Sequence, residues 1–138
     1  MTVERIDHVV LTCRDVAATL RFYTEVLGMR EVTFGQGRKA LAFGRQKLNL
    51  HQTGQSPDLH GADVAAVAAR PVPGAADLCF VVAETIEAVA AHLAACGVPI
   101  EAGPVTRTGA LGAIRSIYIR DPDGNLVELA RYGNDDPD

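Results

Sequence analysis

Tryptophan is absent from this 138-residue chain, and the aromatic set is limited to four phenylalanines and three tyrosines. No run of Lys or Arg accumulates, and the net charge is −4. A nucleic-acid groove, which rests on clustered cations and stacking rings, is therefore not expected. The three cysteines, Cys13, Cys79 and Cys96, have no C-x-x-C spacing. An odd, scattered set fits reduced thiols better than a disulfide frame or a zinc knuckle. Cys79 and Cys96 sit in apolar patterns, which points to packing. No stretch approaches the roughly 20 apolar residues that span a bilayer. The opening MTVERIDHVVLT lacks the basic start and small-residue cleavage site of a secretory signal. The expectation is a soluble cytoplasmic protein that engages neither nucleic acid nor membrane.

What is present is globular: 48% of residues are hydrophobic and 22% charged, enough for one compact domain or two half-size units. Ile6 to Thr12 is rich in β-branched residues and reads as a strand, with His8, Val10 and Thr12 on one face. Asp15 follows as an N-cap, and Val16, Leu20, Tyr23 and Leu27 recur at helical spacing until Gly28 ends the run. Met29 to Phe34, Lys39 to Phe43 and Lys47 to His51 read as strands, the last with Asn49 and His51 on one face and Leu48 and Leu50 on the other. Between Gln52 and Gly74 the pattern weakens, with a short Ala-Val run at Ala62 to Ala69 that suggests at most a small helix.

The second half repeats the first. Asp77 to Val82 is an apolar strand; Ile86, Val89 and Leu93 mark a helix that Gly97 and Pro99 end; Ile100 to Thr106, Ile114 to Ile119 and Leu126 to Ala130 read as extended. A shift of 69 residues lays His8 on Asp77, Leu11 on Phe80, Leu20 on Val89 and Gly28 on Gly97. The spacing predicts an α+β protein of two tandem β-α-β-β-β modules, about residues 4–52 and 75–133, joined by a connection over 53–74. Their eight strands would form a curved sheet around a cleft.

Within RDPDGNLVELA, the Asp121-Pro122-Asp123-Gly124 turn precedes a strand that places Glu128 on a face with Leu126 and Ala130. A half-buried carboxylate there must be paired, hydrogen-bonded or bound to a metal, because an unpaired buried charge is costly. A salt bridge to a nearby arginine and metal ligation both satisfy that requirement.

The repeat, the opening IDHVVLTCRD with FYTEVLGM, and the closing RDPDGNLVEL together resemble the vicinal oxygen chelate superfamily of glyoxalases, fosfomycin-resistance thiol transferases, extradiol dioxygenases and bleomycin-binding proteins. GRKALAFGRQKLNLH, PVPGAADLCF and GPVTRTGA further resemble its glyoxalase-domain-containing, virulence-associated branch. The resemblance implies one divalent metal ion per site (Zn, Ni, Mn, Co or Fe(II)), held by residues on the first and last strands of each module. Carried over position by position, it points to His8 and Glu128 as ligands, and His51, on the strand face of Asn49, would complete a two-histidine, one-carboxylate triad. Asp77, standing where a histidine is usual, becomes a fourth ligand or a partner orienting His8, and Glu128 and Asp77 become the candidate proton carriers. Asn49 stands where Glu or Gln is usual, which leaves open whether Asn49, His51 or Asp77 completes the shell.

Arg38, Lys47, Asn49, Arg107, Arg115 and Tyr118 lie on or beside the strands expected to line the cleft, and are candidates for binding a small, anionic substrate. His60 and His92 read as structural or solvated. The implied activity is a glyoxalase-like, metal-dependent lyase or isomerase. The alternatives are a metal-free small-molecule binding or resistance protein and an Fe(II) ring-cleaving dioxygenase. A homodimer is expected, since such sheets often pair across an open edge.

Overall fold

The computed structural model describes residues 1–55 and 67–133. His60, the 62–66 part of the Ala-Val run and the acidic tail from Asn134 lie outside them. Two compact units divide the chain, Met1–Ala75 and Ala76–Asp138.

Unit one contains β1 (His8–Cys13), α1 (Val16–Glu25), β2 (Arg30–Phe34), β3 (Arg38–Phe43) and β4 (Gln46–Gln52). Unit two repeats the order with β5 (Asp77–Val81), α2 (Ile86–Ala95), β6 (Ala102–Gly109), β7 (Gly112–Arg120) and β8 (Leu126–Tyr132). This is the tandem β-α-β-β-β architecture of the α+β class expected from the sequence, with the strands divided four and four between two mixed sheets. In each sheet the first strand pairs in parallel with the last, His8 opposite Lys47 in unit one and Asp77 opposite Leu126 in unit two, while the remaining pairings are antiparallel. The strand orders are β1-β4-β3-β2 and β5-β8-β7-β6. Among the described residues no helix is long and apolar enough to cross a membrane.

Local chemistry explains both helices. Asp15 caps α1 by accepting hydrogen bonds from the backbone N–H of Ala17 at 3.0 Å and Ala18 at 3.3 Å, satisfying donors that a helix start otherwise leaves bare. Thr85 does the same for α2 through the N–H of Ala88. Each helix buries one stripe, Thr19, Leu20 and Tyr23 in α1 and Ile86, Val89 and Leu93 in α2. Against these stripes lie the alternate strand residues Leu11, Leu41, Leu48 and Leu50 in unit one and Ile117, Ile119, Val127 and Leu129 in unit two, all buried. The other parity of each strand forms what we call the far face of the sheet, turned away from the helix.

The turn between β7 and β8 is a hydrogen-bonded device. Asp121 Oδ1 accepts from the N–H groups of Asp123 and Asn125, and its Oδ2 accepts from Asn125 Nδ2 at 2.8 Å. Asn125 Oδ1 in turn accepts from the Ala76 N–H at 2.9 Å, tying the entry of β5 to this turn. Gly103, at φ +101°, permits a close approach of β6 to β7: a Cβ there would stand 2.5 Å from the Ser116 carbonyl oxygen.

Because Asn125 is 2% exposed, Asn125→Ala leaves the part-buried Ala76 N–H without its acceptor and opens a gap in the turn. We expect a loss of about 1–3 kcal/mol, read in urea unfolding as a lower midpoint at unchanged slope. An unchanged midpoint would show that the latch contributes nothing.

Candidate functional site

The far face of unit one is built by strict alternation. Opposite one another stand His8 and Lys47, Val10 and Asn49, Thr12 and His51; β3 continues the rows with Ala42 beside Lys47 and Ala40 beside Asn49. His8 Nδ1 donates to Asp7 Oδ2 at 2.8 Å, since a carboxylate oxygen only accepts, and in its neutral form the ring then keeps its lone pair on Nε2. That bond is also the largest influence holding the Asp7 carboxyl below its usual range, with the Arg5, His8 and Lys47 charges adding to it.

His51 is committed differently. Its Nε2 lies 3.0 Å from the Gln55 carbonyl oxygen and donates to it. It is also four residues along the face from the row of His8, about 13 Å at the rise of a strand. The two histidines therefore share a face without being neighbours. Asn49 is 7% exposed, and its Oδ1 is buried with no hydrogen-bond partner among the described residues.

Arg38 and Lys47 converge on a residue not expected to matter, Phe34. The Lys47 Nζ lies 3.9 Å and the Arg38 Cζ 4.8 Å from the ring centroid. Lys47 on the interior strand β4 and Phe34 on the edge strand β2 stand at opposite ends of the face by register, and the small side chains of Ala40 and Ala42 leave the ground between them low.

On the far face of unit two, Glu128 is half-buried and its Oε2 accepts from the Ser116 hydroxyl at 2.6 Å. The arginines of these strands are bonded elsewhere: Arg107 to the Tyr118 hydroxyl, Arg115 to Glu87 at 2.6 Å, Arg120 to Glu101 at 2.5 Å and Arg131 to the Ala83 carbonyl. Tyr118 stands opposite Glu128 on β7, and Cys79 stands opposite it on β5. Asp77 is two residues before Cys79 and therefore shares its face; its carboxylate has no hydrogen bond among the described residues.

The six anionic-substrate candidates are thus distributed. Arg38, Lys47 and Asn49 lie on the far face of unit one, Arg107 and Tyr118 on that of unit two. Arg115 turns to the helix side, where Glu87 of α2 takes its guanidinium. Among the described residues, no group of three or more His, Cys, Asp or Glu stands close enough together to hold a metal ion.

Two cysteine expectations need correction. Cys79 and Cys96 are exposed rather than packed, and only Cys13 is buried. Cys96 lies at the end of α2 with its Sγ 3.6 Å from His92 Nε2. Cys79 faces Glu128, and its thiol is pushed up to about 11 by partial burial first and then by the charges of Glu128 and Asp77. Sequence reasoning missed Cys79 and Ser116 at this site, although each is two residues from a residue it had placed there, Asp77 and Tyr118.

Over residues 5–129 the chain matches the Glyoxalase/Bleomycin resistance protein/Dioxygenase superfamily. It is 52% identical over 132 residues to virulence protein STM3117 of Salmonella typhimurium, covering 96% of this chain and 87% of that one. The crystal structure of that protein superposes with a TM-score of 0.89, covering 96% and 100% of the two chains. Glyoxalase domain-containing protein RDO1 of Mycosarcoma maydis is 50% identical over 132 residues, 96% of this chain and 70% of the relative. A crystal structure of lactoylglutathione lyase from Agrobacterium tumefaciens is similar at a TM-score of 0.71 and 26% identity, covering 95% and 96%.

The raised Cys79 value has a direct chemical consequence. In chelator-treated protein at pH 8, its alkylation, followed by peptide mass mapping, should run roughly a hundredfold slower than that of an unperturbed thiol, because the thiolate is the nucleophile. The rate should keep climbing with pH until it passes about 11. Glu128→Gln removes one of the raising charges and should speed it. Reaction at an ordinary thiol rate would contradict the environment described.

Proposed function

Because the chain belongs to the glyoxalase/bleomycin resistance protein/dioxygenase superfamily, we propose that it is a divalent-metal-dependent lyase or isomerase of glyoxalase type, acting on a small substrate that presents two adjacent oxygens. The observation that carries this reading is Glu128: a half-buried carboxylate that no arginine or lysine neutralises among the described residues, fixed instead by a serine hydroxyl. Among the described residues no salt bridge supports the alternative reading of Glu128. Partial burial of an unneutralised carboxylate costs free energy that hydrogen bonds offset in part, and a positive charge supplied from outside the chain would offset more of it.

The donor chemistry fits such an ion. His8 has one ring nitrogen held by Asp7 and the other left as a donor, the arrangement in which an outer carboxylate orients a ligating imidazole. Asn49 offers a buried amide oxygen with no hydrogen-bond partner among the described residues, and Glu128 is held by the Ser116 hydroxyl at Oε2 and by the Cys79 thiol. We propose His8 with His51 or Asn49 as the ligand candidates of unit one, and Glu128 as the ligand candidate of unit two. His51 is oriented in the same way, its Nε2 donating to the Gln55 carbonyl while Nδ1 remains to ligate. A bound divalent ion would supply Lewis-acid polarisation of the two substrate oxygens. Asp77, exposed on the same face as Cys79 and Glu128, would take and return the proton on the carbon next to the carbonyl. Tyr118, held by Arg107 through its hydroxyl, would border the substrate. Zn, Ni, Mn, Co and Fe(II) all suit one imidazole with oxygen donors.

A homodimer belongs to the same proposal. In each sheet the first strand is an edge, and those edges expose Val10 at 53% and Val81 at 63%. A second chain could cover such edges. Sedimentation at micromolar concentration should give twice the chain mass, and a monomer would remove this part.

Elemental analysis of the purified protein should find close to one divalent ion per site. His8→Ala and Glu128→Gln should each lose metal while keeping the circular dichroism of the parent, and of His51→Ala and Asn49→Ala the one that loses metal identifies the other ligand of unit one. Chelation should abolish turnover of a hemithioacetal and lower stability by roughly RT ln(1 + [M]/Kd). Turnover that survives chelation would overturn the lyase reading. Small-molecule binding with no metal would favour the binding-protein alternative, and oxygen uptake with catechols the dioxygenase.

A further inference from the structure

The far face of unit one carries a charge that the chain as a whole does not. In a sequence of net charge −4, the strand residues of this parity include Arg30, Arg38, Lys47, His8 and His51 and no carboxylate. The nearest acid, Asp7, precedes β1 and is bonded to His8. The opposite face of the same sheet behaves normally: Lys39 there is paired with Glu31 at 3.1 Å.

Arg38 and Lys47 are held in an unusual way. Neither forms an ion pair among the described residues; both lie against the single ring of Phe34. Their distances from its centroid put the two cations within about 9 Å of each other, about one Debye length at physiological ionic strength. Two like charges held that close are electrostatically incomplete, and an anion between them relieves the repulsion. The ring contributes twice: its π face attracts each cation, and its bulk pre-orders two long side chains that otherwise lose rotamer freedom on binding. A guanidinium offers a planar fork matched to a carboxylate or phosphonate, and an ammonium adds a point charge. Ala40 and Ala42 leave space beside them.

We infer that Arg38, Lys47 and Phe34 form an oxyanion subsite on unit one, so that the small molecule this protein takes carries a carboxylate or phosphonate group. The inference rests on the small-molecule part of the proposal above, but on neither its metal nor its chemistry. The occupant is a compact anion on a small organic body. A nucleic acid would call for a longer run of cations and for several stacking rings, and this face has one.

Calorimetric titration of the full chain with phenylphosphonate and with benzoate, against benzamide as the neutral counterpart, tests the assignment. It is run on protein as purified and after chelator treatment, so that failure of the metal reading does not hide the result. Both anions should bind in both preparations, more weakly as salt rises, and benzamide should not. Arg38→Gln and Lys47→Gln should each weaken the anions roughly tenfold, the loss expected for one charged hydrogen bond. Lys47→Arg should restore most of it, and Phe34→Leu should weaken both anions with the fold intact by circular dichroism. Three results would overturn the inference: no anion binding; binding that neither Gln variant alters, or that benzamide matches; and binding lost on chelation, which would put the anion on the metal instead. If phosphonate binds and benzoate does not, the subsite stands and selects doubly charged anions.

Discussion

Each sheet depends on one pairing, the parallel ladder between the first and last strands of its unit, because that ladder decides which side chains stand beside one another. In unit one it sets His8 against Lys47 and Val10 against Asn49; in unit two it sets Cys79 against Glu128. Parallel ladders need a crossover, and in both units the crossover contains the helix that buries the near face. The helix thus has two effects. It covers one parity of side chains with Leu20 and Tyr23, or with Ile86 and Leu93, and it leaves the other parity for chemistry.

The two far faces have diverged although the backbones repeat. Where His8 begins the first unit, Asp77 begins the second; where Asn49 stands buried on β4, Glu128 stands half-buried on β8. One face has collected cations and imidazoles and no carboxylate, while the other sets carboxylates, a thiol and hydroxyls beside Arg107 and Arg120. A doubled fold gives this freedom, since each copy is positioned by its own helix and its own ladder. A charge change on one far face leaves the packing of either near face untouched.

Much of this was legible in the sequence because the relevant signals are periodic. Alternation placed His8, Asn49, His51 and Glu128 on their faces, Asp15 marked a helix start, and the 69-residue shift exposed the doubling. Parity also held information that was not used. Arg115 and Tyr118 are three residues apart on one strand, so they cannot share a face, and Arg115 is the one that meets α2. Cys79 follows Asp77 at an even interval and had to accompany it. Other features are three-dimensional and carry no local signal. The bond of His51 to Gln55 depends on how the chain leaves β4, and the meeting of Arg38 and Lys47 over Phe34 depends on side chains crossing the sheet. The serine that holds Glu128 comes from a neighbouring strand, and no periodicity in β8 announces it.

The closing ladder also sets an order of events during synthesis. His8 waits for Lys47, 39 residues later, and long separations of this kind slow folding through the entropy of closing the intervening chain. Once β4 has emerged from the ribosome, however, the first sheet has every strand it pairs with, and Asp77 has not yet been made. The first unit therefore meets no competing copy of its own pattern while it forms. That matters for a chain whose two halves share one strand order: sequential emergence lets the earlier sheet close before the later one is present. A denatured full-length chain, with both halves present at once, lacks that protection.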